Sequence, residues 1–209
     1  RILSEYLGPL NAFQKNKIRD TIVFFGSARF KKNNEYYQKA KDLSSKLTKW
    51  NMEHFEDEYR YVISSGAGPG IMEAANKGAK EAGGKSIGLG LSLPFEQTNN
   101  GWITKGLNFV FHYFFMRKFW FIYLTKGIVV WPGGFGTLDE LFDVLTLLQT
   151  RKITRKIPVI LFGSEFWNGL INWERMIENK TISQSDIELF VTIDSVEEAF
   201  DYLVRHMQK

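Results

Sequence analysis

Gly127-Ile128-Val129-Val130-Trp131-Pro132-Gly133-Gly134-Phe135-Gly136-Thr137-Leu138-Asp139-Glu140 changes character twice within one short stretch. Gly127–Trp131 is an apolar run with β-branched residues and reads as a buried strand. Pro132 lacks the N–H that a central ladder needs, so the strand ends there. Gly133, Gly134 and Gly136 predict a tight turn with positive φ and close approach to a ligand. From Thr137 the residues Leu138, Leu141, Phe142, Leu145 and Leu148 follow one helix face to about Thr150. A glycine turn feeding a helix N-terminus offers free N–H groups and the positive end of the helix dipole, which suits a phosphate.

Outward from this turn, apolar strands alternate with helical patterns. Strands are read at Thr21–Phe25, Tyr61–Ser64, Ser86–Leu91, Phe109–Phe111, Pro158–Phe162 and Phe190–Ile193. Helical spacing covers 35–50, 71–82, 113–126, 165–179 and a last helix capped by Asp194-Ser195. Residues 1–20 read as a polar, partly helical lead-in, and 92–106 as a loop. Strands apolar on both faces, separated by helices, predict an α/β fold: a Rossmann-like, doubly wound parallel sheet with helices on both faces. One domain over 1–209 is the simplest division. Ligands in such folds sit beyond the carboxyl ends of the strands. Three of these ends carry glycine- or serine-rich turns: Gly26-Ser27-Ala28-Arg29, Ser65-Gly66-Ala67-Gly68-Pro69-Gly70, and 132–137.

Composition narrows the chemistry. The chain of 209 residues is 44% hydrophobic, enough for a sizeable core, and carries net charge +4 without a dense Lys/Arg stripe. That favours a small anionic ligand over a nucleic acid. The absence of cysteine excludes disulfides, thiolate metal sites and cysteine nucleophiles, and the cytoplasm is the default compartment. The apolar stretch 107–131 contains His112, Arg117, Lys118 and Lys126, so it does not read as a membrane span. His54, His112 and His206 are scattered and make no metal pattern. No Gly-x-Ser-x-Gly elbow is present, and nothing marks a lysine for a pyridoxal cofactor.

Each local motif has a plainer reading beside it. Thr137-Leu138-Asp139-Glu140 fits a capping box, and Ser195-Val196-Glu197-Glu198 repeats that spacing with no glycine turn before it. Gly66-x-Gly68-x-Gly70 departs from the dinucleotide fingerprint and follows the second strand, so tight strand-to-helix packing explains it equally well. Arg29 is a ligand candidate or a surface cation; Glu96 is a ligand candidate or a solvated loop carboxylate. The 109–123 segment holds nine aromatic residues and is apolar nearly all round. It must be covered on several sides, which points to a second subunit; Arg117 and Lys118 either snorkel to an edge or point into the cleft.

Taken together these residues resemble the LOG (Lonely Guy) family. Pro132–Glu140 matches its Pro-Gly-Gly-x-Gly-Thr-x-x-Glu signature, and Met116-Arg117-Lys118 resembles its upstream Arg-Lys element. The 26–29 and 65–75 segments resemble its first two loops. Phe111–Phe115 and Leu93-Pro94-Phe95-Glu96-Gln97 resemble the longer, bacterial branch. The likeness spans about residues 20–165. It implies a Rossmann-like homodimer or larger oligomer that hydrolyses the N-glycosidic bond of a nucleoside 5′-monophosphate, with no cofactor or metal and no nucleic-acid or membrane partner. Many members carry the label "lysine decarboxylase", which nothing in this sequence supports.

By the same resemblance Arg117 and Glu140 form the catalytic pair. Gly26, Ser27, Arg29, Gly66, Gly68, Glu96, Met116, Lys118, Gly133, Gly134, Phe135, Gly136 and Thr137 are the substrate-binding candidates. Bond cleavage builds positive charge on the ribose, which a carboxylate near C1′ stabilises. Glu140 would lie one turn inside a helix, where the dipole favours its ionised form. Arg117 serves either the phosphate or the departing base. Plant-type members have Met-His-x-Arg-Lys where Phe114-Phe115-Met116 precedes Arg117 here, so the base, N6-modified adenine or an ordinary one, stays open. A non-catalytic carrier of a nucleotide or phosphorylated cofactor is the alternative on this fold.

Overall fold

The computed structural model describes residues 1–57, 60–92 and 100–207. Strands β1 (Asp20–Phe25), β2 (Tyr61–Ser65), β3 (Ser86–Leu91), β4 (Asn108–Phe111), β5 (Thr125–Val130), β6 (Val159–Phe162) and β7 (Val191–Ile193) form one sheet. Its order is β4-β3-β2-β1-β5-β6-β7. Every neighbouring pair is parallel. The chain winds outward from β1 through β4, then returns to β1's other side at β5. β1 and β5 therefore flank the switch point, where a crevice opens at the strand ends.

Period-two burial splits the core between the two faces. Val23 and Phe25, Ile128 and Val130, and Val159 and Leu161 face one layer of helices. Ile22 and Phe24, Val129 and Trp131, and Ile160 and Phe162 face the other. The first layer is α1 (Ile2–Lys15), α4 (Phe114–Tyr123), α5 (Phe135–Gln149) and α6 (Ser164–Leu170). The second is α2 (Glu35–His54), α3 (Ile71–Glu81) and α8 (Val196–Met207). In α2 the buried residues Tyr37, Ala40, Leu43, Ser44, Leu47, Thr48 and Asn51 recur at steps of three and four, and Asn34 caps the start by accepting from Tyr36 N–H. That is why this polar sequence lies on the sheet as a helix.

One expectation changes here. The helix read over 165–179 is broken: α6 ends at Leu170 and α7 (Trp173–Glu178) starts afresh. Asn172 makes the break, its side chain accepting from Arg175 N–H as a new N-cap. The aromatic segment is not covered on several sides by its own chain. Met116, Trp120 and Phe121 of α4 are buried, while Phe114, Phe115, Phe119 and Tyr123 are exposed.

Candidate active site

Hydrogen bonds tie the three turns beyond β1, β2 and β5 together. Ser27 N–H donates to Pro132 O at 3.0 Å, and Ile71 N–H donates to Ser27 O at 3.0 Å. Gly70 takes φ +68°, and a Cβ there would stand 2.2 Å from Ser27 O. Only glycine allows this contact. The second turn is thus built against the first, as tight packing requires. A Cβ on Gly26 would meet Ile71 at 2.8 Å, and one on Gly66 would meet Met72 Sδ at 2.7 Å. Gly68 is buried and its carbonyl accepts from Asn100 Nδ2 at 3.0 Å. The first two turns therefore pack tightly on each other and, through Ser27, on the third.

At the third turn α5 starts at Phe135, two residues earlier than its apolar spacing suggests, with Gly134 as N-cap. Gly133, Gly134 and Gly136 do not take positive φ, contrary to expectation. Their lack of a side chain matters for space instead. A Cβ on Gly133 would overlap Thr137 Oγ1 at 2.1 Å, whereas one on Gly134 or Gly136 would meet nothing within 4 Å. Gly134, Phe135 and Gly136 are exposed, and Phe135 is 93% so. No side chain caps α5. Thr137 N–H is taken by Gly134 O, which leaves the Phe135 and Gly136 N–H groups without an acceptor among the described residues.

The capping-box reading of 137–140 fails for the same reason. Thr137 is inside the first turn, its N–H donating to Gly134 O at 3.0 Å. At the control position the cap is real: Ser195 Oγ accepts from Glu198 N–H at 3.2 Å.

Glu140 turns instead to α4. Arg117 Nη2 donates to Glu140 Oε1 at 2.5 Å, with side chains 16% and 6% exposed. One residue along, Lys118 Nζ reaches Asp139 Oδ1 at 2.8 Å. Two adjacent cations on α4 thus meet two adjacent carboxylates on α5. The Arg117 guanidinium also lies over the rings of Phe121 at 5.4 Å and Phe114 at 5.7 Å. Arg117 Nε is buried and has no hydrogen-bond partner among the described residues.

Burial pushes the Glu140 carboxyl above its ordinary pKa; Arg117, and more weakly Lys118, oppose the rise without cancelling it. The dipole effect anticipated for this position is outweighed. Burial also disfavours the Lys118 ammonium, but the Asp139 hydrogen bond and the charges of Asp143, Glu140 and Asp139 raise its pKa overall.

The remaining candidates separate. Arg29 is exposed on the first turn, where its N–H donates to Ser27 Oγ at 3.1 Å. Met116 lies in the core with 6% exposure. Glu96 lies outside the described residues. Sequence reasoning missed Asp139 as the partner of Lys118, although the signature contains it. It also missed Asn76 and Asn100, which fasten the second turn through Ser65 Oγ to Asn76 Oδ1 at 2.6 Å and Asn100 Nδ2 to Asn76 Oδ1 at 3.1 Å. Buried asparagines carry no periodic signal.

A family described as "possible lysine decarboxylase" matches residues 72–203, more than half of the chain. The chain belongs to this family, the LOG family. Among curated relatives, the cytokinin riboside 5′-monophosphate phosphoribohydrolase LOG3 of Arabidopsis thaliana is 27% identical over 90% of this chain and 82% of its own. Among solved structures, the molybdenum cofactor binding protein of Rippkaea orientalis aligns at TM-score 0.60 and 17% identity, covering 90% of this chain and 98% of its own. The molybdenum cofactor (Moco) carrier protein of Chlamydomonas reinhardtii aligns at TM-score 0.56 and 22% identity, covering 90% and 99%. At these identities the structural likeness is one of fold.

Proposed function

We propose that this chain hydrolyses the N-glycosidic bond of a nucleoside 5′-monophosphate, releasing the free base and ribose 5-phosphate. The carrying observation is the buried Arg117–Glu140 pair, set one turn inside the helix that the open Gly134-Phe135-Gly136 turn begins. The phosphate accepts from the first-turn N–H groups of α5. Phe135 and Glu140 are separated by about 7.5 Å of helix rise, a span that a ribose phosphate bridges. Glu140 then faces the sugar, where its carboxylate stabilises the oxocarbenium-like charge or takes a proton from the attacking water.

Arg117 holds Glu140 through Nη2 and keeps its positive charge beside the sugar. The exposed Arg29 and the Lys118–Asp139 pair complete the binding surface. The LOG family relatives named as phosphoribohydrolases support this reaction class. The test offers AMP, GMP, CMP and N6-isopentenyl-AMP separately and follows free base by chromatography. Base release that survives unchanged in Glu140→Gln removes the role assigned here.

A second reading is favoured by the neighbours titled as cofactor binding and carrier proteins. On that reading the ion pair stays closed, and the α5 turn holds a phosphorylated ligand without turnover. It predicts a tight complex and no free base from any nucleotide.

A further inference from the structure

Glu5 lies outside the matched residues 72–203 and in a helix that shows no motif. Its carboxylate nevertheless reaches the mouth of α4. Oε1 accepts from His112 N–H at 3.0 Å and Oε2 from Tyr113 N–H at 3.2 Å. Each oxygen thus takes one of two consecutive backbone donors. The side chain is 11% exposed, and its other ionic neighbour, Arg1 Nε, is 4.0 Å away. The carbonyl of the same residue accepts from Trp120 Nε1 at 3.1 Å. Tyr6 adds stacked contact with Trp120, ring centroids 5.5 Å apart. Glu5 therefore grips α4 at its start and again near its end.

That grip bears on Arg117. Tyr113 is the N-cap of α4, and no cap hydrogen bond comes from its own side chain. A helix this short, with several aromatics facing outward, has little stability of its own. A carboxylate at its N-terminus satisfies free donors and meets the positive dipole end. Arg117 follows one turn later, its N–H donating to Tyr113 O at 3.3 Å. The backbone unit that Glu5 holds is the unit on which Arg117 is mounted.

We infer that Glu5 is a positioning residue for Arg117, fixing the first turn of α4 so that the guanidinium meets Glu140. The kinetic part of the test rests on the phosphoribohydrolase reading; the structural part does not. Glu5→Ala, Glu5→Gln and the docking control Tyr6→Ala are compared in the full chain.

In Glu5→Ala, kcat falls about ten- to a hundredfold, the effect of a displaced catalytic group, while the KM for AMP stays within about twofold because α5 holds the phosphate. Glu5→Gln keeps a carbonyl oxygen for one of the two N–H groups but turns its NH2 toward the other, so its kcat falls between those of wild type and Glu5→Ala. Tyr6→Ala loosens α1 and lowers the melting temperature without the same loss of kcat. Amide hydrogen exchange over 112–118 rises most in Glu5→Ala and to an intermediate level in Glu5→Gln.

Unchanged kcat in Glu5→Ala, or an equal loss in Tyr6→Ala, overturns the inference. A wild-type chain that releases no base removes the proposed function alone. In that case the exchange measurement decides, and wild-type protection over 112–118 in Glu5→Ala overturns the positioning role.

Discussion

Arg117 and Glu140 share a hydrogen bond of 2.5 Å across two helices, at a place where Glu140 is almost closed to solvent. Replacing Glu140 by glutamine keeps the shape and an acceptor for Arg117 but removes the charge. The expected loss in kcat is about 10²–10⁴-fold, the range for a positioned acid or base. Arg117→Met removes the partner instead and leaves a buried carboxylate uncompensated, which destabilises strongly. The comparison is made by base release from AMP and by thermal melting. Glu140→Gln loses activity with its fold kept; Arg117→Met loses both.

The raised pKa of Glu140 sets the acid side of the pH profile. The proposed reaction uses the carboxylate, so activity should be lost on acidification at a pH above the ordinary glutamate value of about 4.3. Lys118 lowers this pKa, so Lys118→Met moves the acid limb further up. Stability follows the opposite sense. The folded state holds the Glu140 proton more tightly than the unfolded state, so this group favours folding below its ordinary pKa. That contribution is lost as pH rises through the raised value. Melting curves of wild type and Glu140→Gln, taken across that window, should therefore shift in favour of the variant as pH rises.

The parallel sheet was legible because strands buried on both faces read as unbroken apolar runs, such as Ile22–Phe25 and Ile128–Trp131. The break at Asn172 was not, because apolar spacing continues across it through Trp167, Leu170, Ile171 and Trp173. The glycines of the 133–136 turn do not use the positive φ expected of them. Gly133 is needed for the approach of Thr137, a contact no turn rule encodes. The Arg117–Glu140 pair was readable only through the motif resemblance, since spacing alone does not bring α4 to α5. Glu5 left no trace, because its contact spans 107 residues of chain and depends on how α1 lies on α4.

Gly134 and Gly136 allow the phosphate site to be tested apart from the fold. A Cβ at either position meets nothing within 4 Å beyond its chain neighbours and the helix's own backbone. Gly136→Ala lies inside α5 and should hold or raise stability by up to about 1 kcal/mol. If nucleotide phosphate sits on these N–H groups, the added methyl obstructs it. The KM for AMP then rises about tenfold or more, the worth of one hydrogen bond to a charged group. Gly133→Ala should behave differently, lowering the melting temperature because Thr137 must move. Thermal melts beside initial-rate kinetics distinguish the two classes. An unchanged KM in both Gly134→Ala and Gly136→Ala moves the phosphate elsewhere.

Phe114 and Phe115 are each 54% exposed, Tyr123 47% and Phe119 37%, all on α4. Their rings continue one another: Phe119 stacks on Tyr123 at 5.0 Å, and Tyr6 of α1 lies 5.8 Å from Phe119. A linked aromatic surface of this kind is costly to leave in water and marks an interface. We expect α4 to meet a second copy of the chain, giving a particle of about twice the 24.2 kDa chain mass by light scattering. Phe115→Glu combined with Tyr123→Glu places charge on that surface and should release monomers. Arg117 lies over Phe114 on the same helix, so dissociation should also lower turnover. A wild-type chain that scatters as a monomer at every concentration contradicts this, and the aromatic face of α4 then belongs to a different partner.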